Sequence, residues 1–262
     1  MREVTPDECK QLQLNILINV AKFCEEHDIK YSLAYGTLIG AIRHKGFIPW
    51  DDDIDIIMMR NEYERFVATY NDNYYKLIPV KEIANHLHVV VSDMSTQLEF
   101  HKCKTDSYFY KGGVWVDIFP IDNVPNSNIG YKIQRKVLYV LKQIHQLSQF
   151  PWSTSFKGKA LHRLLKPYSN LLDKPIQPVM QFYNSRNKNM VGDLALCYLN
   201  YPSFPKSYMD TFVGVEFEGH IFKAIKDYDA FLRGIYGNYM NLPPVNERTP
   251  RHPYTAYWRE IQ

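Results

Sequence analysis

From residue 50 to residue 59 the chain reads Trp-Asp-Asp-Asp-Ile-Asp-Ile-Ile-Met-Met, which sets Asp51, Asp52, Asp53 and Asp55 at the mouth of an apolar run. Asp is disfavoured in strands, yet the isoleucines that follow demand burial. Side chains alternate faces along a strand, so Asp53 and Asp55 share one face while Ile54 and Ile56 take the other. Carboxylates held side by side repel and are driven toward protonation unless a cation neutralises them. A hard divalent ion with oxygen ligands, Mg²⁺ or Mn²⁺, meets that demand. A third acid, Asp117 in the run VWVDIFPI, lies inside a strand that otherwise reads as core, where an isolated carboxylate is costly. One metal site shared by Asp53, Asp55 and Asp117 accounts for all three. The plainer alternative is a solvated acidic turn, with Asp117 on an edge strand beside a lysine; Trp50 and the run IDIIMM weigh against it.

Around this cluster the chain divides into elements. Thr5-Pro6-Asp7-Glu8 is a capping box with proline at the first helical position. The helix it opens carries Leu12, Ile16, Val20 and Phe23 at helical spacing and ends at Glu25-Glu26-His27-Asp28. Residues 31–36, 54–59, 88–93 and 114–121 read as strands, with a short helix opened by Asn61 and Glu64 between the second and third. The expected fold class is α+β, a mixed sheet with flanking helices. Its catalytic core is expected over residues 1–125. Residues 126–262 read as a mainly helical acceptor- or membrane-facing region packed on that core, with segments near 131–149, 156–172 and 175–190. A last helix near 223–236 is expected to be capped by Gly237.

Composition narrows the class further. With 262 residues, 45% of them hydrophobic, the chain can bury a full core. Its formal charge is only +3, which argues against a nucleic-acid partner. That total hides an asymmetry. Residues 123–172 contain no Asp or Glu but hold Lys132, Arg135, Lys136, Lys142, Lys157, Lys159, Arg163 and Lys166, so the remainder carries a net −5. Helical patterning in this basic segment suits peripheral contact with an anionic membrane, or a groove for a polyanionic acceptor, across residues 131–172. Cys9, Cys24, Cys103 and Cys197 are dispersed without a CxxC pair, which points to a reducing, cytoplasmic setting rather than a zinc site. No signal peptide or run long enough to span a bilayer is evident.

Upstream of the acids, Gly36 and Thr37 are expected to close the first strand and let a phosphate approach the backbone. Arg43, His44 and Lys45 place positive charge nearby, with Arg suited to bidentate phosphate contact. A turn glycine and a solvated basic loop are the bland alternatives. Glycine, bases and a carboxylate-bound metal together point to phosphoryl or nucleotidyl transfer, where positioning and charge neutralisation do most of the catalysis.

The run GTLIGAIRHKGFIPWDDDIDI, with VWVDIFPIDNVP and YGNYMNLPP further on, resembles the LicD family, which includes bacterial phosphocholine transferases and the more distant fukutin-related polyol-phosphate transferases. The resemblance implies a nucleotidyltransferase-like fold with Gly36-Thr37 as its turn, Asp53 and Asp55 as the paired acids and Asp117 as the third. Thr37 stands where the wider superfamily often has Ser. The resemblance further implies a metal-dependent transfer of phosphocholine from CDP-choline to a hydroxyl of a cell-surface glycan or teichoic acid precursor, with CMP leaving. Ribitol-phosphate or glycerol-phosphate transfer, and a non-catalytic metal-binding adaptor, are the alternatives.

Overall fold

A computed structural model describes residues 1–80, 87–100, 112–149, 156–196, 201–249 and 254–260. Helix α1, Pro6–Glu26, begins as the sequence predicts: the Glu8 N–H donates to Thr5 Oγ1 at 3.3 Å and the Thr5 N–H to Glu8 Oε2 at 2.8 Å. Its buried stripe is Leu14, Ile16, Leu17, Val20, Ala21 and Cys24. Leu12 and Phe23 lie half-buried along its margins.

The strand expected over 31–36 is shorter than predicted. β1 comprises only Ser32–Leu33, and the chain then turns at Tyr35, φ +48°, into helix α2, Tyr35–Arg43. A continuous apolar run does not by itself separate a buried strand from a buried helix. Leu38, Ile39 and Ala41 bury the inner face of α2, and a side chain at Gly40 would meet the Gly46 carbonyl at 2.5 Å. The next elements are β2, Asp55–Met59, and α3, Arg60–Thr69. Helix α3 starts one residue before the expected Asn61 cap; Met59 is its N-cap and no side chain caps it.

β3 is Tyr75–Ile78, β4 Val89–Asp93, β5 Thr96–Phe100 and β6 Trp115–Val124. Four helices follow: α4, Asn128–Gln149; α5, Phe156–Leu165; α6, Ser169–Asp173; and α7, Ile176–Gln181. The chain then returns to strand: β7, Met190–Asp193; β8, Phe204–Pro205; β9, Phe212–Phe217; and β10, His220–Ile225. The last helix, α8, is Tyr228–Tyr236, with Gly237 at its C-cap at φ +65° as predicted, but residues 223–225 belong to β10. β11, Tyr254–Trp258, pairs antiparallel with β5.

The sheet is mixed, in the order β1-β2-β6-β4-β3, with β7 and β8 continuing from β6. Strand β6 is its hub. It pairs parallel with β2 along one side, and antiparallel with β4 and then β7 along the other. Residues on both sides of position 125 therefore build one sheet. Ile54, Ile56, Val89, Val91, Val116 and Ile118 lie in the main core at 2% exposure or less. Arg60 of α3 and Asp122 of β6 form a buried bidentate pair at 2.8 and 2.6 Å. Among the described residues no helix is long and apolar enough to cross a membrane.

Candidate functional site

The parallel register of β2 and β6 sets Asp55 directly beside Asp117. Neighbouring strands lie about 4.8 Å apart, so two acids 62 positions apart in sequence become neighbours in the sheet. Asp55 is fixed through its backbone: its N–H donates to Thr37 Oγ1 at 2.8 Å and its carbonyl accepts from the Ala34 N–H at 3.0 Å. Thr37, expected in a strand-closing turn, is a buried residue in the first turn of α2 and secures the head of β2.

Asp53 precedes β2, in a loop held from two sides. The Asp51 N–H donates to the Ile48 carbonyl at 2.9 Å, and buried Gln13 on α1 donates from Nε2 to the Asp52 carbonyl at 2.8 Å. Asp51, Asp52 and Asp53 each contribute one carboxylate oxygen, all within 4.8 Å of one another. The Asp51 carboxylate lies against Gly36, where an added Cβ would sit 2.4 Å from Oδ2. Gly36 is therefore small to admit a carboxylate at the start of α2, an end where the helix dipole favours negative charge.

Burial, and after it the charges of Asp53, Asp117, Asp51 and Asp193, push the Asp55 carboxyl well above the usual carboxylate range. Asp117 has polar partners instead. His88 Nε2 lies 2.7 Å from its Oδ1, and Trp115 Nε1 donates to its Oδ2 at 2.7 Å. Among the described residues the partners of Asp117 include this histidine and indole. Asp193 on β7 accepts from Tyr35 Oη at 2.6 Å and from the Ala195 and Leu196 N–H groups at 2.8 and 3.0 Å.

The basic triplet is placed differently from a free phosphate clamp. Half-buried Arg43 donates from Nη1 to the carbonyls of Tyr239 and Asn241, tying the run GTLIGAIRHKG to the distant YGNYMNLPP. Partial burial lowers its pKa, as does Arg248, while Asp51 opposes that shift. His44 packs edge-on against Trp50, and partial burial, with Arg43 beside it, lowers its pKa. Exposed Lys45 has φ +61°, and its carbonyl accepts from the Glu218 N–H at 2.8 Å.

Sequence reasoning gave no role to Gln13, His88, Trp115, Tyr35 or Asp193. Only His88 and Trp115 left a signal, as polar-capable side chains flanking two apolar strands. Cys9 and Cys24 are free thiols, pushed by burial to about 11 and about 12, so they are inert; Cys103 and Cys197 lie outside the described residues. The carboxylate oxygens of Asp51, Asp52 and Asp53, with Asp55 beside them, form an all-oxygen, anionic donor set, which fits Mg²⁺ or Mn²⁺.

Residues 28–153 match the model of the LicD/FKTN/FKRP nucleotidyltransferase domain. The chain is 33% identical over 278 aligned residues to the lipopolysaccharide cholinephosphotransferase LicD of Haemophilus influenzae, covering 98% of this chain and 99% of that protein. It is also 25% identical over 205 residues to an uncharacterized protein of Rickettsia typhi, covering 69% of this chain and 65% of that one. With the paired acids, the third strand acid and near full-length similarity in agreement, the chain belongs to the LicD family and is a transferase of that family.

Proposed function

We propose that this protein transfers phosphocholine from CDP-choline to a hydroxyl of a cell-surface glycan or teichoic acid precursor, releasing CMP, at the cytoplasmic side of the membrane. The observation that carries the reading is the register pairing of Asp55 with Asp117 beside the Asp51–Asp53 carboxylates. It is supported by the similarity to a protein named as a lipopolysaccharide cholinephosphotransferase.

Asp53 and Asp55 would hold Mg²⁺ or Mn²⁺, with Asp117 as the third ligand and Asp51 and Asp52 within reach. When bound, the ion supplies charge neutralisation for a donor diphosphate and a departing CMP. Asp117, oriented by His88 and Trp115, also takes the proton of the attacking hydroxyl. The acceptor oxygen forms the new bond to the phosphocholine phosphorus, the bridging P–O bond breaks, and CMP leaves with that electron pair. Gly36 admits the Asp51 carboxylate, and Thr37 fixes Asp55. Arg43, held through Nη1 to the Tyr239 and Asn241 carbonyls, offsets the Asp51 charge, and with His44 and Lys45 it would steady the donor phosphates.

Calorimetric titration with CDP-choline, CDP-ribitol and CDP-glycerol, each with Mg²⁺, tests the donor. Tightest binding of CDP-choline, abolished by chelator, is the expected result. Tighter binding of a polyol nucleotide reassigns the cargo, and no binding to any of the three refutes the donor class.

A further inference from the structure

Among the described residues, nine exposed large apolar side chains fall between Ile129 and Leu171, the region with no acidic residue. Helix α4 shows how they are arranged. Its inner face buries Tyr131, Gln134, Arg135 and Leu138. Arg135 is directed inward, donating to Tyr131 Oη at 2.6 Å and to the Asp193 carbonyl at 3.0 Å, so its charge does not reach the surface. On the outer face Ile129, Ile133, Val137 and Val140 are 73, 59, 44 and 45% exposed. At 3.6 residues per turn these four fall within an arc of about 80°, and Lys136 and Lys132 run along one edge of it. Helices α5 and α6 pack on α4 and repeat the pattern: Leu161, Leu164 and Leu171 are exposed, with Lys159, Arg163 and Lys166 among them.

We infer that the outer face of α4 is a monotopic docking surface for a bilayer rich in anionic lipid. An apolar seam edged by lysines matches an interface where hydrocarbon lies below a layer of negative headgroups. Charge decides against a second copy of this chain. A twofold contact would set Lys132 and Lys136 against basic surface, with no acid between residues 123 and 172 on either copy to compensate them. The surface is independent of which alcohol the active site transfers.

Sedimentation with vesicles tests it. The intact protein is expected to pellet with phosphatidylcholine vesicles containing phosphatidylglycerol and not with phosphatidylcholine alone, and added salt weakens the binding. The double variant Ile133→Asp/Val137→Asp, at exposed positions, should bind at least about 10-fold more weakly with unchanged thermal unfolding. Lys132→Ser/Lys136→Ser should lose the preference for anionic vesicles. Equal, negligible binding of the parent protein to both vesicle types overturns the inference, as does undiminished binding of the Asp variant. A concentration-dependent dimer that the Asp variant dissolves would assign the face to a second copy instead.

Discussion

Asp55→Asn removes one charge from the most crowded point of the acidic site at almost no change in volume. Because burial and four acidic neighbours raise the Asp55 carboxyl, the folded protein binds its proton more tightly than the unfolded chain does. Stability then falls as pH rises from the unfolded value, about 3.9, through the raised folded one. Above that window the ionised carboxylate costs about 1.4 kcal/mol for each pH unit separating the two. Asn carries no such cost. In chelator at pH 7 the variant should therefore be more stable by about 1.4 kcal/mol or more, or about 3–6 °C in Tm for a chain of this size. The advantage should disappear near pH 4. Saturating Mg²⁺ should reverse the order, since an ion at 100 times its Kd adds about 2.7 kcal/mol to the parent protein. Transfer should fall by about 100-fold or more, the scale of losing one electrostatic element from such a site. Scanning calorimetry from pH 4 to 8, with EDTA or Mg²⁺, reads all of this. A variant less stable than its parent in EDTA at pH 7, or one stabilised equally by Mg²⁺, would refute the reasoning.

Two further substitutions separate site from scaffold. In Gly36→Ala the new methyl would lie 2.4 Å from Asp51 Oδ2, so the carboxylate must shift. Mg²⁺ affinity by calorimetry should drop about 10-fold, with little change in Tm in chelator because the backbone there is ordinary helix; unchanged affinity would remove Asp51 from the site. Asp122→Ala leaves the Arg60 guanidinium, 8% exposed, without its carboxylate. Urea denaturation should show a loss of about 3–5 kcal/mol, the usual cost of stranding a buried charge, and a loss under 1 kcal/mol would contradict it.

Local chemistry identified Asp55 and Asp117 from sequence because each breaks an apolar strand that has no other use for a carboxylate. Their adjacency is expected from the shared-site reading and the family resemblance but not from either strand alone: it depends on β2 and β6 pairing parallel, and no residue within either strand states its partner. The missed strands differ in kind. β9 and β10 announce themselves by the alternation of Val213, Val215 and Phe217 and by Glu218-Gly219, whose φ values of +49° and +74° make a two-residue turn suited to a hairpin. By contrast β7 is a short run, Met190–Asp193, made a strand by the free edge of β6. From sequence, Gly36 reads as a strand-closing glycine that lets a phosphate approach the backbone. Its actual reason, the close approach of Asp51, is a tertiary fact.

The arrangement of charge follows from the same topology. Parallel pairing at the head of β6 sets Asp117 beside Asp55, and the end of that strand leads within four residues into α4. Arg135 spends its charge inside, on Asp193 and Tyr131, while Lys132 and Lys136 stay outside. One continuous stretch, β6 to α4, thus carries a carboxylate at one end and a basic apolar face at the other. Moving a single acid into that face should therefore weaken the proposed membrane contact and leave the proposed metal site intact, whereas removing one at the head of β6 should impair the proposed metal site and leave vesicle binding unchanged.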